Sequence, residues 1–289
     1  MRTVHTLKEL RAVLKVYRGQ GKRIGLVPTM GSLHEGHISL VHKALEAADV
    51  VVTSVFVNPM QFGANEDLDN YPRTLQADQD RLRAAGNTLV FAPAASEIYP
   101  EGPECHTRIT VPEVSEGHCA VTRPDHFGGV ATVVTMLFNM VQPDVAVFGE
   151  KDYQQLAVIR KLVRDLFIPV EIIGATTVRA TDGLARSSRN VYLSDGERLR
   201  APTLYRVMRE TGAALVAGNR NFSHLEQSAR EVLFAEGLQP DYFNIVNSST
   251  LKPAQPGDTE LTILAAAFLG STRLIDNLSL SLKPLNPHS

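Results

Sequence analysis

Within the stretch VPTMGSLHEGHISLV, residues 27–41, His34 and His37 stand three positions apart behind a glycine-containing turn, two of only nine histidines in 289 residues. Positions i and i+3 share one face of a helix, so a helix starting here carries both rings on its first turn. The backbone N–H groups of that turn lack partners inside the helix, and the helix dipole there favours an anion. Two imidazoles at such a place can donate hydrogen bonds to a phosphate whose charge grows as it is attacked. Gly36, between them, has no side chain and leaves the backbone open to a flat group. Two plainer uses stand beside this one. An arbitrary HxxH is most often a pair of surface or capping histidines. A structural zinc site needs about four protein ligands, and neither the cysteines nor an HExxH motif supplies the remainder.

Other polar clusters invite the same weighing. In GEKDYQQ (149–155), Lys151 can place a point charge on a phosphate and Asp152 suits a helix N-cap, although a cap and a solvated lysine would look identical. ARSSRN (185–190) combines hydroxyls, an arginine and an asparagine, which can wrap a polyphosphate or merely connect two domains. NPMQF sets Asn58 and Gln61 together, amides that both give and accept hydrogen bonds, as a small hydroxy acid requires; in isolation the segment is a turn with an exposed Gln. RPDHFGGV (123–130) brings Arg123 and His126 in front of an apolar run. Asp78, after YPRT, could approach magnesium, but an exposed helix carboxylate is the default expectation. His5, His42, His106, His118, His224 and His288 have no comparable company and receive no role.

The elements that must position these groups follow from periodicity. RIGLVP (23–28) reads as a strand leading into a helix over about 34–47, and DVVVTSVFVNP (49–59) as a strand buried on both faces. A polar stretch, 60–74, precedes a helix ending near Gly86, and TLVFAP (88–93) is a third strand. A buried helix over 126–142, a strand over 144–149, a helix over 152–167 and a strand over 169–174 complete the alternation. This is the pattern of an α/β, Rossmann-like doubly wound parallel sheet, and such sheets bind ligands beyond the carboxyl ends of their strands. The histidine pair and the Lys151 segment both fall there.

After about residue 176 the character changes to two amphipathic helical runs, 201–218 and 223–237, and three strand-like runs, 241–247, 260–270 and 272–280. The division is therefore 1–176, a Rossmann-like nucleotide-binding domain, and 177–289, a smaller α+β C-terminal domain that could serve as a lid. Composition is that of a folded globular chain, 44% hydrophobic and 21% charged. A net charge of -2 provides no broad field for nucleic acid. No run approaches a membrane span, and the N-terminus lacks a secretory h-region. Cys105 and Cys119 are too few for a disulfide framework, so a cytoplasmic enzyme with two reduced thiols is expected.

HEGH behind a strand and PTMG resembles the HxGH signature of the nucleotidyltransferase superfamily that includes class I aminoacyl-tRNA synthetases. VPTMGSLHEGH, TSVFVNPMQF, YPRTL, FAP, EIYP, VQPDVAVFGEKDYQQL, DGLARSSRN and RLIDN, in that order from about residue 20 to 277, resemble the pantoate–β-alanine ligase (pantothenate synthetase) family. The resemblance implies ATP-dependent condensation of pantoate with β-alanine through a pantoyl adenylate, with Mg2+ and a homodimer. It implies catalytic roles for His34, His37 and Lys151. ATP would border Met30, Gly31, Ser32, Leu33, His34, Glu35, Gly36, His37, Gly149, Glu150, Lys151, Asp152, Val178, Arg186, Ser187, Ser188 and Arg189. Pantoate and β-alanine would meet Gln61, Gln155, Asn58, Arg123 and His126. Metal ligands stay unassigned. Two residues depart from the family's usual pattern: Arg186 replaces Leu or Met and is expected to point to solvent, while Asp125 replaces a glycine and puts the local turn in question. The rivals are a related enzyme whose product retains AMP, a non-catalytic ATP-binding module, and a tRNA synthetase. The last is disfavoured by a short chain with no basic anticodon-binding region.

Overall fold

A computed structural model describes residues 1–63 and 68–283, so part of the expected polar stretch and His288 lie outside the described residues. The chain forms two compact units. The first comprises Met1–Glu116, Ala120–Glu150 and Gln155–Thr176. Its elements are β1 (Arg2–Val4), α1 (Leu7–Gly19), β2 (Ile24–Thr29), α2 (Glu35–Ala47), β3 (Val50–Val55), α3 (Leu75–Ala84) and β4 (Leu89–Phe91). Short helices α4 (Ala95–Ile98) and α5 (Cys119–Thr122) precede α6 (His126–Val141), β5 (Val145–Gly149), α7 (Tyr153–Asp165) and β6 (Glu171–Ala175).

The six strands form one parallel sheet in the order β1-β4-β3-β2-β5-β6. β3, the near-continuous β-branched run, is buried along most of its length, as a central parallel strand must be. β2 pairs with β3 on one side and β5 on the other, so the winding direction reverses between β2 and β5. Gly25 lies opposite Val145 and Leu26 opposite Ala146; a few residues on come Thr29 and Gly149, the last residues of their strands. The HxGH turn and the segment starting at Glu150 thus leave the sheet at its topological switch point. Apolar side chains fill both faces: Leu10, Leu14, Phe91, Phe138, Leu156 and Ile159 in one cluster, Val27, Val41, Val51, Leu82 and Val147 in another.

Three details differ from the expectation. β1 is an edge strand of three residues with only Val4 buried, too short to show a period. β3 ends at Val55, because Asn58 and Pro59 begin a 3-10 turn over Pro59–Gln61 and proline has no N–H for a ladder. A 3-10 turn over Glu150–Asp152 precedes α7, so Asp152 lies within that turn. In α6 one glycine is required by close packing. A Cβ on Gly129 would come within 2.3 Å of the Met60 carbonyl oxygen, so only glycine lets the helix press against the Pro59–Gln61 turn.

The second unit gathers Gly117–Cys119, Lys151–Gln154 and the chain from Thr177 onward. α8 (Asp195–Arg200), α9 (Thr203–Val216) and α10 (Phe222–Ala235) precede an antiparallel sheet of β7 (Gln239–Asn247), β8 (Glu260–Leu269) and β9 (Thr272–Ser281), ordered β7-β8-β9. Leu204, Val207, Met208 and Leu215 form the apolar stripe of α9 and share a core with Leu233, Phe243 and Ile263. No helix among the described residues is long and apolar enough to cross a membrane.

His118, given no role from sequence, is a structural residue of this unit. Its Nδ1 lies 2.8 Å from the Asn244 amide and its Nε2 3.0 Å from the Leu251 carbonyl. A neutral ring with hydrogen on Nε2 accepts the first and donates the second. Burial pushes its pKa below the usual histidine value, against smaller raising effects from the Leu251 carbonyl and Glu226. The unfolded chain therefore binds a proton more readily than the folded one. Stability should be fully present above about pH 6.5 and fall as pH drops below it. Urea melts at pH 8 and pH 5.5 should show this acid sensitivity, and His118→Gln should lessen it; an equal pH dependence in both proteins would refute the assignment.

Candidate functional site

The turn after β2 is shaped by two left-handed residues in succession, Gly31 at φ +84° and Ser32 at φ +50°. A non-glycine residue at positive φ needs outside support. Asp78 of α3 supplies it. Its carboxylate accepts from Ser32 N at 3.0 Å and Leu33 N at 2.8 Å, and from Thr74 Oγ1 at 3.2 Å. Arg81, one helical turn on, donates to the Leu33 carbonyl at 2.8 Å. Asp78 is 2% exposed, which corrects the expectation of a solvated helix carboxylate. Both of its oxygens serve the turn. Asp78→Asn would set an NH2 group against one of these N–H donors and should lower stability by about 1.5–3 kcal/mol. Chemical denaturation measures the loss, and an unchanged midpoint would remove Asp78 from this role.

His34 is the N-cap of α2 and His37 its third residue, and they close a reciprocal box. His34 Nδ1 accepts from Gly36 N at 3.1 Å, and His37 Nδ1 accepts from His34 N at 3.3 Å. The rings lie 4.1 Å apart, centroid to centroid, tilted by 37°. An Nδ1 that accepts a backbone N–H carries no hydrogen, so each neutral ring bears its hydrogen on Nε2. The capping meaning of HxxH is therefore observed and leaves room for the functional one: the capping bonds choose the tautomer, and the tautomer makes both rings donors. Glu35 is exposed beside them.

The amide pair after β3 belongs to the same unit. Gln61 is 8% and Asn58 1% exposed, unlike the exposed turn that NPMQF alone suggests. Gln61 Nε2 lies 3.2 Å from Met30 Sδ, which joins this segment to the HxGH turn. The Gln61 carbonyl accepts from Arg123 at 3.3 Å and from His126 Nδ1 at 3.0 Å. Asp125, between those two, has φ -91° and ψ -7°, a right-handed conformation open to any residue, so the loss of glycine leaves the turn intact. Gln155 is half-buried on α7.

In the second unit the phosphate-binding candidates share one support. Asn277 of β9 donates to the Lys151 carbonyl at 2.8 Å. Its neighbour Asp276 holds Arg179 through both carboxylate oxygens, at 2.5 and 2.9 Å. Arg179 bridges to Ala185, and Arg186 N bonds the Val178 carbonyl at 2.9 Å, forming the stem that delivers Ser187, Ser188 and Arg189. Ser187 caps the following 3-10 turn by accepting from Arg189 N. Arg186 is half-buried with its Nε shielded, which corrects the expected solvent orientation. Lys151 is 17% exposed and lies 3.5 Å from Asp152. The roles of Arg179, Asp276 and Asn277 were missed from sequence, although RLIDN was visible as a motif.

The first unit can offer ring N–H donors to a phosphate and amides suited to a small oxygen-rich substrate; the second carries a lysine cation and a Ser-Ser-Arg turn. Comparison with known proteins points the same way. The family model described as pantoate-beta-alanine ligase matches residues 2–279. A pantothenate synthetase of Marinobacter nauticus is 71% identical, covering 97% of this chain and 100% of the relative. One of Hahella chejuensis is 60% identical over 98% and 100%. The crystal structure of pantothenate synthetase from Thermus thermophilus superposes with a TM-score of 0.90 at 46% identity, covering 96% of this chain and 99% of that one. Pantoate-beta-alanine ligase from Francisella tularensis, complexed with beta-gamma ATP and beta-alanine, gives 0.81 at 34%, over 96% and 97%.

Proposed function

The chain belongs to the pantoate–β-alanine ligase family, and from that membership we infer how its own residues join pantoate to β-alanine in an ATP-dependent reaction. The reading is adenylation followed by aminolysis. ATP lies along Met30–His37 and Gly149–Asp152, with Val178 and Arg186–Arg189 along the triphosphate. Pantoate meets Gln61, Gln155, Arg123 and His126, with Asn58 behind Gln61. A pantoate carboxylate oxygen attacks the α-phosphorus in line; the new O–P bond forms as the bond to the bridging oxygen breaks and pyrophosphate leaves. His34, His37 and Lys151 stabilise the charge that builds on the α-phosphate. The β-alanine nitrogen then attacks the acyl carbon of pantoyl adenylate, losing its proton as AMP departs.

One observation carries this reading: backbone N–H groups occupy both Nδ1 atoms of the histidine pair, which puts the ring hydrogens on Nε2 and makes both rings donors at a helix N-terminus beside the switch point of the sheet. Magnesium is read as entering with ATP. Among the described residues no three His, Cys, Asp or Glu side chains gather as a metal cage, and the Asp78 carboxylate is engaged by backbone, so phosphate oxygens would be its main ligands. Bound there, it would neutralise the departing pyrophosphate. A homodimer and a cytoplasmic location complete the reading, the first testable by light scattering.

The test is a substrate-omission assay. With ATP and magnesium, pyrophosphate release should require pantoate, and AMP with pantothenate should appear in turnover only when β-alanine is added. A product that retains AMP would favour the related nucleotidyl transfer, and ATP binding without pantoate-dependent pyrophosphate would favour a binding module.

A further inference from the structure

We propose that Tyr99 and Asn58 are positioning residues that fix the polarity of Gln61, so that Gln61 presents only N–H donors to substrate and selects an oxygen acceptor there. The proposal deepens the reading above and rests on Gln61 facing pantoate.

The argument is a donor–acceptor count begun from two backbone groups that have no choice. The Gly129 carbonyl can only accept, and it lies 3.1 Å from Asn58 Nδ2; the Met60 N–H can only donate, and it lies 3.3 Å from Asn58 Oδ1. These two contacts set which end of the Asn58 amide is nitrogen. Tyr99 Oη, 2.7 Å from the same Oδ1, must then be a donor. Burial pushes the Tyr99 hydroxyl up to about 12, so it keeps that proton throughout the working range. The second hydrogen of Asn58 Nδ2 points at Gln61, and the atom it meets at 3.1 Å must accept, so it is Oε1. Gln61 Nε2 is left on the opposite side, toward Met30.

Every member is buried: Asn58 is 1%, Tyr99 3% and Gln61 8% exposed. A reversed amide anywhere in the series would oppose like groups away from water, at considerable cost. The closeness of α6 to the Pro59–Gln61 turn, possible only because residue 129 is glycine, brings the Gly129 carbonyl into the relay. A Gln61 oriented this way donates to a hydroxyl oxygen or a carboxylate. Its Oε1 is turned to Asn58, on the side away from Nε2, so this orientation favours an oxygen acceptor over an ammonium group.

Gln61→Glu separates the two possible polarities by the sign of a pH effect. A protonated glutamic acid can accept from Asn58 with one oxygen and donate O–H to substrate with the other, as the amide does. The ionised form offers only acceptors. Pantoate-dependent pyrophosphate release is measured from pH 5 to 8.5 as the ratio of variant to wild type. That ratio cancels pH effects common to both proteins, whose surroundings are the same: His126 and Arg123 on the Gln61 backbone carbonyl and His106 against the Tyr99 ring. Near pH 8 the variant's KM for pantoate should be about 10- to 100-fold above wild type, with KM for ATP nearly unchanged. The deficit should shrink as pH falls.

A ratio that is high at pH 8 and worsens toward acid would mean that Gln61 presents its acceptor, and would overturn the proposal. A KM for pantoate equal to wild type at every pH would instead show that Gln61 does not face pantoate, removing the reading beneath it. Tyr99→Phe keeps the relay testable if the glutamate variant does not fold. Removing only that hydroxyl leaves Asn58 Oδ1 to the longer Met60 contact and should raise KM for pantoate about 3- to 10-fold, leaving ATP alone. An unchanged pantoate KM in Tyr99→Phe would refute its positioning role.

Discussion

His37→Ala is expected to slow pantoate-dependent pyrophosphate release about 10²–10³-fold in a single turnover, the usual effect of deleting one donor aimed at developing charge. The ring's Nδ1 is held by His34 N at 3.3 Å, so His37 is a rigid donor that needs little reorganisation as charge forms on phosphate. Binding of pantoate, which is assigned to other residues, should change little. The fold should survive, because the substitution removes one capping bond of α2, worth about 0.5–2 kcal/mol. His34→Ala should act similarly through its own Nε2–H. If both rings address one phosphate, the double variant should lose less than the product of the single losses, as groups acting as a unit do. A correctly folded His37→Ala enzyme with a normal single-turnover rate would sink the assigned role.

How far the molecule was legible in its sequence depends on the range of the interactions concerned. β3, β5 and α6 show clear periods and apolar runs, because each is buried against several neighbours and its composition records that. β1 escapes because three residues at a sheet edge carry no period. Asp78 looks like any helix carboxylate until β2 and α3 are known to bring it against Ser32 and Leu33, 46 and 45 positions away. The chemical types at the site were readable locally, from HEGH, GEKD and NPMQF. Their orientation was not. The tautomer of His37 depends on a backbone bond, and the polarity of Gln61 depends on Tyr99, which lies 41 residues from Asn58. Arg186 and Asp125 show the converse: departures from a family pattern whose consequences were set by burial and by ordinary φ and ψ.

A longer dependency, between Arg179 and Asp276, 97 positions apart, yields the second large effect. Asp276→Ala should destabilise the protein by about 3 kcal/mol, the lower end of the cost of breaking a buried ion pair, since Arg179 keeps 18% exposure while Asp276 keeps 4%. The guanidinium would retain the Gly183 carbonyl at 3.1 Å and the Tyr205 ring, whose centroid is 3.5 Å away, but no counter-charge. Asp276 also accepts from Asn277 N at 2.8 Å, and Asn277 in turn holds the Lys151 carbonyl. The loss should therefore reach both the stem before Ser187 and the backbone of Lys151. Replacing the pair by apolar residues, Arg179→Met with Asp276→Leu, removes the uncompensated charge and should recover much of the stability. Equilibrium denaturation of the two variants, read beside ATP-dependent pyrophosphate release, separates the two roles. If β9 positions the phosphate-binding residues, the apolar pair will be stable yet slow; if it recovers both properties, Asp276 serves the fold alone. A melting midpoint for Asp276→Ala indistinguishable from the parent would show that the Arg179 charge needs no partner, and the coupling argued from this strand would fail with it.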